Sequence, residues 1–322
     1  TDIGFPNIAP LAGAREYEGD NGDRTTLIQL QGFVANQGDA WAYTQDYLKR
    51  FLDDCLQQPE TVRQAGEEVH ALYRIFATTL GKRTGELHRA LAQTTGDVAF
   101  DPEPITTDDL ADWLSRIRGE AVATFERLAQ GRAALPEPAR VLAGRVLEMR
   151  GALLGCLERT GRADPEAVKI RYHGDYHLAQ VLVAKDDVII IDFEGEPSRT
   201  LEERRGKHSP LRDVVGVLRS FNYAAHAALR PFATDSPALA PYLEDWQRQT
   251  RAAFLNGYAE ATRDSAGFNI DSAQAAMLLK AFGLEKACYE LRYELDNRPD
   301  WVEIPLGGLC ELLPSAAKEP AE

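Results

Sequence analysis

A chain of 322 residues with 44% apolar side chains has the material for two domains and a sizeable core. Its 36 Lys and Arg against 50 Asp and Glu leave a net charge of −14. Without a dense basic block this speaks against a nucleic-acid or anionic-membrane partner and favours a neutral or cationic small molecule, unless a metal screens the acids.

The sequence shows no signal peptide and no apolar run of membrane-spanning length. Cys55, Cys156, Cys288 and Cys310 are scattered, without a Cys-x-x-Cys pair. Free thiols in a reducing, cytoplasmic compartment are therefore expected, rather than disulfides or zinc. Thr1 is not a natural first residue, and a chain cut from a longer one is the expectation.

Strand signals come first, over Leu11 to Tyr17 and Thr25 to Leu30, around a turn at Gly19 to Asp23. Gln31 to Gly38 mixes apolar and turn residues and reads as a strand-to-helix connection. From Asp39 to Ala92 the pattern is helical: Trp41, Leu48, Leu52, Val69, Leu72, Ile75, Phe76, Leu80, Leu87 and Leu91 recur at steps of three and four. His88 lies on that apolar stripe, where a satisfied core histidine is expected rather than a ligand. A loop with two prolines follows at Ala99 to Pro104. Two further helices, Thr107 to Gln130 and Pro136 to Arg159, are divided by Leu-Pro-Glu-Pro and read as scaffold.

Lys169 to Glu196 is the stretch with chemistry. Val168, Ile170 and Tyr172 alternate with charged residues, and the apolar runs Val181 to Val183 and Val188 to Ile191 flank a turn at Lys185, Asp186 and Asp187. A β-hairpin of this kind returns the chain to one edge, so His173, Asp175, His177 and Gln180 are expected beside Asp192, with Glu194 and Glu196 just beyond. Converging carboxylates are costly without a cation, and magnesium is the natural candidate. His-x-Asp, an amide five residues after the Asp, and Asp-Phe twelve residues later resemble the catalytic loop and metal-binding Asp-Phe-Gly of protein kinases. Gln180 stands for the usual Asn and Glu194 for the Gly.

Ser198 to His208 is read as a charged loop, and Ser209-Pro210 as the capped start of a helix whose first turn points Asp213 back at the cleft. Arg219 and Asn222 are weaker candidates. Helices continue over Pro237 to Arg263 and Asp271 to Leu295. On the last, Leu284, Cys288, Leu291 and Leu295 form a core stripe, and Lys286, Tyr289, Glu290 and Tyr293 a second one. Aromatic faces with hydrogen-bonding heads suit the apolar and hydroxyl faces of a sugar.

With these residues assembled, the chain resembles the maltokinases, kinases of the aminoglycoside-phosphotransferase-like class that phosphorylate the anomeric hydroxyl of maltose and often occur fused to trehalose synthase. The likeness runs in order through Phe33 to Trp41, Arg83 to His88, His173 to Gln180, Ile191 to Pro197, Ser209 to Asp213 and Lys286 to Trp301. It implies an α+β, protein-kinase-like fold, with a predominantly helical C-lobe, a small catalytic β-hairpin and a truncated N-lobe. Residues 1–38 would be a remnant of the nucleotide-binding N-lobe and hinge, and 39–322 the C-lobe.

The resemblance also implies roles. Asp175 would orient the sugar hydroxyl and take its proton, His173 would brace the loop, and Gln180, Asp192 and Glu194 would serve Mg2+. The Gln31 carbonyl and Phe33 amide would meet the adenine of ATP. Lys286, Tyr289, Glu290, Tyr293 and His177 would hold maltose, with the product feeding α-glucan synthesis. No lysine precedes Lys49, so the phosphate-binding lysine of the family has no counterpart. A fragment of a trehalose synthase–maltokinase fusion, weak in ATP binding and turnover by itself, is the expectation. A same-fold enzyme for an aminoglycoside or choline, or a non-catalytic assembly module of trehalose synthase, are the alternatives.

Overall fold

The computed structural model describes residues 4–20, 22, 24–158, 166–232, 234–265 and 267–313. Two expectations fall partly outside these: the turn at 19–23, of which 21 and 23 are not described, and the last residue of the helix drawn to Arg159.

The chain opens with an antiparallel ribbon, β1 (Leu11–Glu18) and β2 (Arg24–Gln31), with register shifts after Leu11 and Arg15. Tyr17, Leu27, Ile28 and Leu30 all lie exposed on it. Asp39 then caps α1 (Ala40–Gln57), its carboxylate accepting from the Ala42 amide. The run expected as continuous helix to Ala92 breaks at Pro59 and Gly66, giving α2 (Pro59–Ala65), a 3₁₀ turn and α3 (Ala71–Leu91). Proline lacks the N–H that would continue α1, and Gly66 takes a φ of 53° that side chains resist.

The proline loop contains β3 (Glu103–Pro104), a two-residue strand. A Thr106–Asp109 capping box starts α4 (Thr107–Gly131), and Pro136 precedes α5 (Glu137–Gly155). β4 (Val168–Lys169) pairs with β3, and Ile170 bridges to His208, so the expected strand over Val168 to Tyr172 is shorter than its alternation promised.

The expected hairpin is β5 (Val181–Ala184) and β6 (Asp187–Ile190), with Val181 opposite Ile190 and Ala184 opposite Asp187. Both of its edges are covered. The Ile190 amide donates to the Asn7 carbonyl, and Val183 exchanges hydrogen bonds with Gln37 and Gly38. The buried side chains Val181, Val188 and Ile190 seat one face on the helices.

Beyond it, the segment expected as a charged loop contains α6 (Leu201–Arg205), capped reciprocally by Thr200 and Glu203. α7 (Leu211–Leu229) begins after Pro210, which carries no side-chain cap; Ser209 Oγ instead accepts the Leu211 amide at 3.4 Å. α8 (Ser236–Thr262), α9 (Ala273–Asn297) and α10 (Glu303–Glu311) complete the helices.

The closest helix pair is α3 against α8. A Cβ on Gly81 would stand 2.0 Å from the Phe254 carbonyl oxygen, and one on Gly257 2.1 Å from that of Thr78. Leu284, Cys288 and Leu291 of α9 are buried as the core stripe requires. All four cysteines are free, and among the described residues no helix is long and apolar enough to cross a membrane.

Candidate active site

The turn from β5 to β6 is what assembles the site. It brings Gln180, just before β5, next to Asp192, just after β6, and the Gln180 side-chain amide donates to Asp192 Oδ2 at 2.7 Å. Asp192 has φ 66°, in the left-handed region that a non-glycine residue enters only when its surroundings hold it there.

His173 sits buried beneath Asp192. The Asp175 amide approaches its Nδ1 at 3.4 Å, which makes Nε2 the protonated nitrogen, and that nitrogen donates to the Ile191 carbonyl at 2.8 Å. The loop is fixed from below as well: the amides of His173 and Gly174 donate to Asp213 at 2.8 and 3.0 Å. Asp213, on the first turn of α7 and almost wholly buried, faces back toward the cleft.

Asp175 stands on this brace with 19% of its side chain exposed. Burial acts to raise its carboxyl, but the His177 imidazole 3.7 Å away and the charge of Lys286 outweigh that, and it lies below the ordinary aspartate value. Lys286 Nζ lies 3.9 Å from Asp175 and 3.6 Å from Glu196, bridging the two carboxylates, and packs 5.0 Å over the Tyr289 ring. Tyr289 in turn donates its hydroxyl to Glu196 at 3.2 Å.

Two cavities open on either side of Lys286. One of about 310 Å³ is lined by Asp175, Glu196, Arg199, Glu285 and Tyr289. The other, about 530 Å³, runs past Trp41, His177, Tyr289, Tyr293 and Arg298. Their sizes are those of small-molecule sites, with the polar groups converging on Asp175.

The remaining candidates fall elsewhere. Glu290 touches the rim of the larger cavity, yet its carboxylate is buried and held by Arg219 at 3.0 and 2.6 Å, so the stripe of four is a face of three with an inward-turned acid. Glu194 is exposed, its carbonyl accepting from Arg204. Gln31 ends β2 opposite Leu11, Phe33 is 93% exposed, and neither lines a cavity around Asp175. Among the described residues no group of three or more His, Cys, Asp or Glu is gathered to hold a metal ion.

No protein-family model matches the chain. It is 26% identical over 293 residues to a glucosamine kinase of Streptacidiphilus jiangxiensis, covering 91% of this chain and 59% of that protein. To a glucosamine kinase of Mycolicibacterium smegmatis it is 27% identical over 321 residues, covering 96% and 68%. The chain thus spans 59% of the first of these relatives. A solved glucosamine kinase in complex with glucosamine, ADP and inorganic phosphate superposes with a TM-score of 0.73 at 23% identity, covering 97% of this chain and 66% of that one. A glucosamine kinase in crystal form A gives 0.74 at 23% identity, covering 98% and 65%. The chain shares their fold.

Sequence reading missed the charged wall of the smaller cavity. Buried Glu285 receives Arg116 from α4, Arg199 from the segment after β6 and Arg212 from α7, at 2.9, 3.5 and 2.5 Å. These four residues are far apart in the chain, and no local pattern marks them as partners.

Proposed function

We propose that the chain carries the acceptor site of an ATP-dependent sugar kinase, with maltose as the acceptor and the anomeric hydroxyl as the nucleophile. The observation that carries this is Asp175: an ionised carboxylate at the junction of two cavities, on a doubly braced loop that His173 ties to Ile191, the neighbour of Asp192. Phosphoryl transfer asks the protein mainly for positioning and charge neutralisation, which this arrangement suits. Asp175 orients the sugar hydroxyl and accepts its proton, and His173 keeps the loop and the Asp192 turn in register. The similarity to glucosamine kinases supports the reaction class.

The amide oxygen of Gln180 and the carboxylate of Asp192 fit magnesium, a hard cation that takes one or two protein oxygens and completes its shell with phosphates and water. When bound it would supply positive charge to the transferring phosphoryl group. Glu194 belongs to the same turn and would act from its edge. The pair is too sparse to hold the ion without nucleotide. In this reading residues 1–38 belong to the nucleotide side, with Gln31 and Phe33 as backbone partners for adenine, and 39–322 form the acceptor lobe.

Lys286 favours a neutral sugar over an amino sugar. An ammonium group of the protein already occupies the position between Asp175 and Glu196 that a charged amino sugar would seek, and like charges there repel. Tyr289 and Tyr293 offer faces for a second hexose ring. The order of motifs in the sequence supports maltose, and with it an associated or fused trehalose synthase as its source.

The test is phosphate transfer from ATP to maltose, followed by 31P NMR. Asp175→Asn is expected to lower turnover by roughly 10²- to 10⁴-fold, the weight of a general base, while maltose binding persists. Undiminished turnover in that variant would overturn the assignment of Asp175. Glucosamine consumed as readily as maltose would overturn that of the acceptor.

A further inference from the structure

The motif Arg83 to His88 lies on α3, and none of its residues lines either cavity around Asp175. Its polar side chains nevertheless reach the machinery at two separate points. Arg83 grips Asp187, the first residue of β6, with Nε and Nη2 at 2.8 and 2.7 Å, and Glu86 holds the same guanidinium at 2.6 Å. One turn on, fully buried His88 meets the Tyr258 hydroxyl through Nδ1 at 3.1 Å and Asp213 Oδ2 through Nε2 at 3.2 Å.

An ionised carboxylate only accepts, so Nε2 carries the proton and Nδ1 accepts from Tyr258. Asp213 is the residue that holds the His173 and Gly174 amides. Between the two points, Thr84 Oγ1 meets the hydroxyl of Tyr176, the neighbour of Asp175, at 3.1 Å. The helix is packed closely on α8, where a Cβ on Gly85 would stand 2.8 Å from that of Ala261.

We propose that α3 is a two-point gauge for phosphoryl transfer. Through Arg83 it fixes the hairpin that carries Gln180 and Asp192; through His88 and Asp213 it fixes the loop that carries Asp175. The distance between the proton acceptor and the phosphate side of the site is then set by one rigid helix outside the cavities. His88 and Arg83 are positioning residues, and this role rests on the sugar-kinase reading above.

The gauge is tested with His88→Leu, which removes the donor to Asp213, and His88→Gln, which can restore it. Amide hydrogen exchange is read at His173 and Gly174, and kcat and KM for maltose are measured on the same proteins. In His88→Leu the protection of those two amides is expected to fall roughly 10- to 100-fold, the weight of one hydrogen bond to a buried charge, while amides in α4 keep theirs. kcat is expected to fall by up to about 10²-fold, the effect of a misplacement near 1 Å, with KM little changed and most of the loss recovered in His88→Gln.

Unchanged protection at His173 and Gly174 would overturn the proposal, as would a uniform loss throughout the protein. If His88→Leu does not fold, Tyr258→Phe, which deletes one hydroxyl, is read against the same two outcomes. Should the wild-type protein bind both ATP and a sugar and still transfer no phosphate, the functional reading fails, while the exchange result still decides whether α3 positions the loop.

Discussion

Replacing Glu285 by Gln removes the one negative charge on which three guanidiniums converge. Glu285 is 4% exposed, and its Oε1 meets Arg212, Arg116 and Arg199 at 2.5, 2.9 and 3.5 Å. Burial acts to raise its carboxyl, and the charges of the three arginines outweigh burial and hold it below the ordinary glutamate value. The amide keeps the shape but leaves the arginines, from α4, the segment after β6 and α7, without their shared carboxylate, with Glu120 remaining 3.5 Å from Arg116.

Removing one partner of a buried ion pair costs about 3–5 kcal/mol. Arg116 and Arg199 are 34% and 26% exposed, so solvent relieves part of the repulsion and the lower end applies. A loss of about 3 kcal/mol is expected, which for a chain of this length lowers Tm by roughly 4–6 °C.

The pH dependence has a definite sign. A carboxyl whose folded value is depressed contributes stability that is complete above the unfolded value and is lost as pH falls through the folded one. The difference between wild type and Glu285→Gln should therefore be flat from about pH 8 down to the ordinary glutamate range near 4.3, and close only below it. Calorimetric unfolding of both proteins across that range is the assay. A difference under about 1 kcal/mol at neutral pH, or one that vanishes well above the glutamate range, would refute the reasoning.

Gly257→Ala forces a methyl to within 2.1 Å of the Thr78 carbonyl oxygen, so α3 and α8 must separate. A loss of about 1–3 kcal/mol is expected, seen as a lower urea midpoint at unchanged slope; an unshifted midpoint contradicts the packing described. Lys286→Met leaves Asp175 and Glu196 without the ammonium between them. Turnover of maltose should fall, the acid limb of its pH profile should move to higher pH as the Asp175 carboxyl rises, and the glucosamine-to-maltose activity ratio should increase about tenfold, worth roughly 1.4 kcal/mol. An unchanged ratio contradicts the charge argument.

The hairpin was legible because two short apolar runs flank a polar turn, and the turn is closed by Lys185 at φ 58°. Period-two and period-four patterns likewise located β1, β2, α4, α5 and α9. What escaped has physical reasons. α6 is only five residues long in a charged segment, too short for an apolar period, although Thr200 and Glu203 spelled its capping box.

The break in the first helical run was signalled by Pro59 and Gly66 and hidden by the apolar residues that recur beyond it, of which Leu72 and Ile75 lie exposed on α3 rather than in the core. Glu290 shares a helical spacing with Lys286 and Tyr293, but it lies one residue past Tyr289 and so turns from the cavity toward Arg219 on α7. The arginine clasp on Glu285 and the reach of His88 to Asp213 join residues 73 or more positions apart, and only the folded chain shows them.

The central claim is that the cavities beside Asp175 bind a neutral disaccharide. Isothermal titration of maltose and of glucosamine into the wild type and into Tyr293→Ala tests it most directly. Tyr293 is 45% exposed, so its truncation should leave the fold intact within about 0.5 kcal/mol. The account predicts that maltose binds the wild type, that Tyr293→Ala weakens it at least about tenfold, the weight of a lost aromatic–sugar contact, and that glucosamine binds more weakly than maltose. Glucosamine binding tighter than maltose, or maltose binding indifferent to Tyr293, would contradict it.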